Sequence, residues 1–207
     1  MPRDIAKKMR QRIYGHGRGW VFTSKDFQDL ASLATVRQVL GRFTKERTII
    51  RLRAGVYHFP TISSMLNTPS NPDPDAIVRA IARANGWTVL PTGDTAVNLL
   101  GLSRQVPAQY QYFSDGPTKR YKWSGGSLSL KHRTNKETTI LSPRTALLVQ
   151  ALKNLGEENV NKIVLNKLLD AFSVKELNLA IKEAKYSTSW VYWVIKNLAA
   201  EKKARYA

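Results

Sequence analysis

The residues best suited to chemistry lie between Ala34 and Lys45 and suit recognition of a duplex, not bond-making. Gln38 carries a donor and an acceptor side by side, the pair that matches N6 and N7 of adenine. Arg37 or Arg42 suits O6 and N7 of guanine, or a phosphate. Ala34 and Thr35 open the same helical face. Lys45, Arg51 and Arg53 are better placed for backbone phosphates beside the groove. Arg47 falls back on the apolar side and reads as a partly buried or helix-end charge.

The elements that must hold these side chains are legible around them. Val36, Val39, Leu40 and Phe43 form one apolar stripe at helical spacing, and Ser32 precedes it with a capping hydroxyl. Ala34, Arg37, Gln38, Gly41, Arg42 and Lys45 occupy the other side, with no acid before Glu46. Two β-prone runs follow, Ile49–Leu52 and Val56–Phe59. They are joined by Arg53-Ala54-Gly55, where the glycine permits a tight hairpin. Upstream, Ile5, Ala6, Met9 and Ile13 predict a first helix over Pro2–Tyr14, ended by the glycines from Gly15 to Gly19. Trp20–Phe22 predicts a short strand. Thr23 or Ser24 then caps a second helix burying Phe27 and Leu30, with Asp26 placed for a capping box. Helix, strand, helix, helix, strand, strand is the order of a winged helix-turn-helix.

Charge points the same way. The 207 residues contain 33 Lys and Arg against 15 Asp and Glu, a net +18 that favours a polyanionic partner. Residues 1–59 hold 13 basic and 4 acidic side chains, and the other 148 residues hold 20 and 11. The first segment is therefore about two and a half times more basic per residue. The absence of cysteine excludes a disulfide framework, a thiolate metal site and a cysteine nucleophile. The basic N-terminus lacks a secretory apolar run, and the apolar cluster Trp190–Ile195 is far shorter than the roughly 20 residues a membrane helix needs. A cytoplasmic, soluble protein without a membrane partner is expected.

Beyond Phe59 the texture changes. Residues 60–73 are rich in Pro, Ser and Asn and read as a linker, with Met65-Leu66 as a local anchor. A second domain over 74–207 begins with a helix Asp75–Asn85, capped by Asp73 with Pro74 in its first turn and closed by Gly86. A strand Trp87–Leu90 and a short helix Asp94–Leu102 follow. Gln109–Phe113, Arg120–Trp123 and Ser127–Lys131 are strand candidates, with Thr138–Leu141 as a further one. Lys119, Arg120, Lys122, Lys131, Arg133 and Lys136 contribute six cations and no acid between Gly116 and Lys136, interleaved with Tyr121 and Trp123. This patch is either a second phosphate- or RNA-contacting surface or a sheet with core aromatics and solvated lysines.

The last third predicts helices. Ser142-Pro143 opens one to Leu155, closed by Gly156. Val160–Phe172 carries Ile163, Val164, Leu168 and Leu169. Ser173 and Glu176 form a capping box for a helix to Lys185. A final helix bears Trp190, Tyr192 and Trp193, rings expected in the core or a partner interface. The fold class expected is α+β: a winged helix, then a mixed α+β domain ending in helices.

Enzyme readings are weak by comparison. His16, His58 and His132 lack metal-ligand spacing, and no nucleophile-elbow motif marks a serine. Glu183-Ala184-Lys185, with Asp170 upstream, superficially resembles the Glu-x-Lys of metal-dependent nucleases, but lies in helical patterns. Asp94 after Gly93 is explained as a helix cap. No catalytic residue, metal or cofactor is expected.

The run Phe22–Pro60, with TSKDFQDLAS-LATVRQVLGRF and IIRLRAGVYHFP, resembles the N-terminal winged helix of AbiEi-like antitoxins of abortive-infection type IV toxin–antitoxin pairs. The run GDTAVNLLGLSRQVPAQYQYFSDGPTKRYKW from Gly93, followed by SLSLKHR, is similar to the Ala…Gly-Leu…Gln-Val-Pro pattern of that family. The resemblance covers roughly residues 5–155. It implies an N-terminal domain that binds inverted repeats in its own promoter and represses the operon. It also implies a C-terminal domain that counteracts a nucleotidyltransferase-like toxin, without requiring a stable complex. Double-stranded DNA would be bound by a monomer or a DNA-assembled dimer. A stand-alone regulator whose second domain binds a ligand or protein fits the charge pattern equally well.

Overall fold

Apolar spacing settles the first elements. Ala6, Met9 and Ile13 recur at helical intervals, and all three are buried along α1 (Pro2–His16), which runs two residues past the expected Tyr14. The computed structural model describes residues 2–63, 68–134 and 141–205. After α1, Gly17 and Gly19 adopt φ of 81° and 93° and turn the chain into β1 (Val21–Thr23).

The predicted Thr23–Asp26 capping box is present, with the Thr23 N–H donating to the Asp26 carboxylate at 2.7 Å. What it opens is a single 3-10 turn, Ser24–Phe27, not a second full helix. Arg12 explains the difference. Its guanidinium donates to the Asp26 carbonyl at 2.8 Å and to both Asp29 oxygens at 2.7 Å. These bonds hold the segment beside α1, and the Leu30 N–H donates to the Phe27 carbonyl at 3.0 Å, one residue short of an α-helical bond. Phe27 is fully buried, while Leu30 is only partly so.

α2 (Leu33–Lys45) forms as its stripe predicts. Ser32 Oγ accepts the Thr35 N–H at 3.3 Å, and Val36, Val39, Leu40 and Phe43 are buried. β2 (Ile50–Arg53) and β3 (Val56–His58) make the hairpin, with Gly55 at φ 78° in its turn. The three strands pair antiparallel in the order β1-β3-β2, with Phe22 opposite Tyr57. One sheet face carries Phe22 and Tyr57 into the core made with α1 and α2. Burying each such large side chain contributes about 1.5–3 kcal/mol.

The other face is also covered. α3 (Pro74–Asn85) packs against β1 and β3, burying Ile77, Val78 and Ile81. Arg83 pairs with Asp26 at 2.8 Å, and Lys25 Nζ donates to the Ala84 carbonyl at 2.7 Å. The caps are those expected: the Asp73 carboxylate accepts the Asp75 N–H, and Gly86 takes φ 68°. The grouping is not. The chain divides into two compact units, residues 1–87 with 121–127, and residues 88–120 with 128–207. A helix expected to start the second domain therefore belongs to the first unit.

Beyond α3, β4 (Val89–Pro91), α4 (Asp94–Leu99), β5 (Tyr110–Ser114), β6 (Lys119–Trp123) and β7 (Gly126–His132) succeed one another. Their sheet order is β4-β5-β7-β6, and β5 runs parallel to β7, with Tyr112 opposite Leu130. Asp115 is thereby placed to accept the Thr88 N–H at 2.8 Å. The stretch Ser103–Pro107 has no regular structure, and Val106 is 72% exposed.

Four helices complete the second unit: α5 (Pro143–Leu155), α6 (Lys162–Ala171), α7 (Val174–Glu183) and α8 (Ser189–Arg205). Leu148, Leu152, Leu168, Phe172, Leu177 and Ile195 share their core. The Ser173–Glu176 box forms as expected. Two exposed side chains share one geometric reason. Ile163 is 69% exposed, because it sits one residue from Val164, whose face with Leu168 turns inward. On α8 the inward face is Val191, Ile195, Leu198 and Ala199. Trp190 and Tyr192 are thus half-buried and Trp193 is 54% exposed, not core. Lys196 covers the Trp193 ring at 4.6 Å. Met65-Leu66, Lys136 and residues 138–140 of the expected strand lie outside the described residues, and Leu141 is a bend before α5. The described chain is mixed α+β and ends in helices, as expected.

Candidate nucleic-acid interface

Because α2 buries Val36, Val39, Leu40 and Phe43, its remaining side chains must face outward. Ala34, Arg37, Gln38, Arg42 and Lys45 are all exposed, and Gly41 is half-buried between them. Thr35 differs. It is half-buried, with its N–H on Ser32 Oγ and its hydroxyl 3.0 Å from the same atom, so it completes the cap.

Glu46 ends this face, and its charge is met internally. Arg10 of α1 donates to it at 2.9 Å, while Arg42 Nε lies 3.8 Å from its other oxygen. Arg10 also stacks over Phe43 at 4.9 Å, which anchors the pair to the core. The cation set of α2 is therefore free of an uncompensated acid, although Arg42 has a weak partner. Spacing along α2 alone gave no sign of Arg10.

Two concavities flank the helix. Arg37, Lys45 and Arg51 converge on one of about 690 Å³, between α2 and the β2–β3 turn, with no acid in its lining. Gln38, Arg42 and Lys45 border another of about 480 Å³. Gly41 lines both, and a Cβ built there meets nothing within 4 Å. The helix surface is thus open where a ligand backbone would approach.

Arg51 is exposed on β2. Arg53 is not: it is half-buried, 4.5 Å above the ring of Tyr121. Burial pushes the Tyr121 hydroxyl pKa up, and the neighbouring Arg53 charge opposes that rise. Arg53 thus has an aromatic partner far along the chain that spacing cannot reveal.

The second basic group is spread along β6 and β7. Lys119, Arg120, Lys122 and Lys131 are exposed, whereas Arg133 is half-buried over Phe113 at 4.7 Å. Arg120 and Lys122 lie on the strand face opposite buried Tyr121. Trp123 is half-buried, with its Nε1 enclosed and unpartnered among the described residues. The rings and these cations do not make one stacking surface.

The residues weighed for enzymatic chemistry are scattered. Glu183 ends α7 and Lys185 follows in a 3-10 turn, so neither lies on a strand edge, and Asp170 is exposed on α6. Gly93, not Asp94, is the N-cap of α4, and Asp94 instead accepts Asn154 Nδ2 at 3.0 Å. His16 stacks on Trp20, His58 is buried in β3, and His132 Nδ1 lies 2.9 Å from the Gly116 carbonyl. Among the described residues no group of three His, Asp or Glu side chains is arranged to hold a metal, and no helix is long and apolar enough to cross a membrane.

Comparison with known proteins gives a family and a weak structural likeness. None of the curated proteins matches the chain. The crystal structure of the RV2827C protein from Mycobacterium tuberculosis is similar at 14% identity and a TM-score of 0.41, over 88% of this chain and 72% of that one. A family model described as a family of unknown function matches residues 8–178. The match runs from within α1 to the middle of α7, and the chain belongs to that family, DUF6088.

Proposed function

We propose that residues 1–59 act as a winged helix that binds double-stranded DNA, with α2 in the major groove and the β2–β3 hairpin as the wing. The observation that carries this reading is the outer face of α2. Arg37, Gln38, Arg42 and Lys45 are all exposed beside Arg51, and the only acid at the end of that face is held by Arg10. Gln38 and Arg42 read bases, while Arg37, Lys45 and Arg51 hold phosphates. Arg53 acts through the wing's shape, stacked as it is on Tyr121.

The sequence resemblance around GLSRQVP supports a narrower role. The protein is a cytoplasmic antitoxin of a type IV pair that represses its own operon at inverted repeats, while its second domain counteracts a nucleotidyltransferase-like toxin. It performs no catalysis of its own. Anisotropy titration against its own upstream duplex and a scrambled duplex, at several salt concentrations, tests the DNA half. Preference for the native duplex, lost in the Gln38→Ala, Arg42→Ala double variant, is the expected result. Equal and steeply salt-dependent binding to both duplexes means counterion release alone, and the promoter reading then fails. The antitoxin half fails if the gene has no nucleotidyltransferase neighbour whose toxicity it relieves.

A further inference from the structure

The first unit holds a larger concavity at the C-terminal end of α2, about 1080 Å³, and the DNA reading does not use it. One side is apolar. Tyr14 stacks on Phe59 at 5.4 Å, and Ile62 stands nearby, with Tyr14 and Ile62 53% and 48% exposed. Arg18 belongs to this wall: it lies over Phe59 at 5.0 Å and donates to the Pro60 carbonyl at 2.9 Å, fixing the ring pair in place.

Part of the lining is cationic. Arg47 and Arg51 line it, both exposed, and neither has an ion-pair partner among the described residues. Glu46 also lines it, but Arg10 and Arg42 already answer its charge. The last carbonyls of α2 are not bare either, since the Arg47 and Thr48 amides donate to Thr44 and Phe43 at 3.0 Å each. Arg47 holds φ at 56°, a conformation that favours glycine, so a long cation stands here at a backbone cost.

An exposed ring and an aliphatic side chain lining the same groove as two guanidiniums suit a ligand that is flat and apolar at one end and multiply anionic at the other. A space of this size suits a small molecule. We propose that the groove binds a nucleoside polyphosphate, its base against Tyr14 and Ile62 and its phosphates between Arg47 and Arg51. Arg51 also lines the concavity beside α2, so a bound polyphosphate competes for a guanidinium that duplex binding uses. That regulatory consequence rests on the DNA reading; the binding itself does not.

The test uses the full chain and MANT-labelled ATP, followed by anisotropy without DNA. Saturable binding is expected, displaced by ATP and about tenfold less well by inorganic triphosphate. Tyr14→Ala and Arg47→Gly each weaken it about tenfold, and Lys131→Ala, on another exposed basic face, leaves it unchanged. Equal displacement by triphosphate overturns the proposal, because the base then contributes nothing. Better displacement by a short single-stranded oligonucleotide also overturns it, as the groove would then be part of a nucleic-acid track. An unchanged Arg47→Gly variant sinks it outright. With the upstream duplex present, ATP should weaken duplex binding by the wild-type chain and not by Arg47→Gly. If the duplex does not bind at all, the DNA reading fails while the MANT-ATP titration still decides this one.

Discussion

The Glu183 carboxylate accepts both the N–H and the hydroxyl of Ser142, at 3.0 and 2.7 Å, across 41 positions of sequence. Ser142 was expected to cap α5 itself, but its side chain makes no cap bond to the backbone. Glu183 brings the negative charge to the start of α5 instead, where the helix dipole favours it. The carboxylate that resembled part of a nuclease motif is thereby a tie between α7 and α5.

Glu183→Ala should therefore cost about 1–2 kcal/mol of stability, read as a fall of a few degrees in Tm. Burial opposes ionisation of Glu183, but hydrogen bonds from Thr145 and Ser142 outweigh it and hold its pKa below the ordinary value. Its contribution is present above the unfolded carboxylate value of about 4.3 and is lost as pH falls through the lower folded value. The variant should show a shallower acid limb in a urea-midpoint profile. An unchanged Tm would mean that the tie is idle.

Gly41 separates stability from binding. A Cβ there meets nothing within 4 Å, and glycine weakens a helix interior. Gly41→Ala should stabilise the fold by about 0.5–1 kcal/mol. The same methyl group stands between the two concavities beside α2, so duplex affinity should fall while Tm rises. Tighter or unchanged duplex binding would move the contact surface off this face.

Arg47→Gly should also stabilise the chain, by about 0.5–1 kcal/mol, since glycine accepts φ of 56° without the Cβ penalty. Arg47→Ala keeps the penalty and should gain nothing. Denaturant midpoints of the two variants compare backbone relief directly, and equal midpoints would remove strain from the account.

His58 gives the fold a pH dependence. It is 1% exposed in β3, its Nδ1 has no partner among the described residues, and burial holds its pKa below the ordinary imidazole value. The unfolded chain takes up a proton from about pH 6.5 downward, while the folded chain resists it. Stability is then full above that pH and declines below it, by at most about 1.4 kcal/mol per pH unit. His58→Phe should flatten the profile between about pH 6.5 and 5. A wild-type profile already flat in that window would show His58 to be protonated in the fold.

The sequence alone determined the local pieces. Ser32, Asp73, Ser173 and the glycines at 55 and 86 mark caps and turns where the structure has them, and the buried stripe of α2 fixes which of its side chains face outward. These are interactions between near neighbours, so periodicity and residue type suffice. Tertiary structure decided what meets what. It laid α3 on the second face of the β1-β3-β2 sheet, paired β5 with β7 in parallel, and left Trp193 outside. It also gave Arg53 to Tyr121, Glu46 to Arg10 and Glu183 to Ser142. Each of those joins positions tens of residues apart. Spacing within one helix or strand carries no record of its distant partner, and only packing of the whole chain selects it.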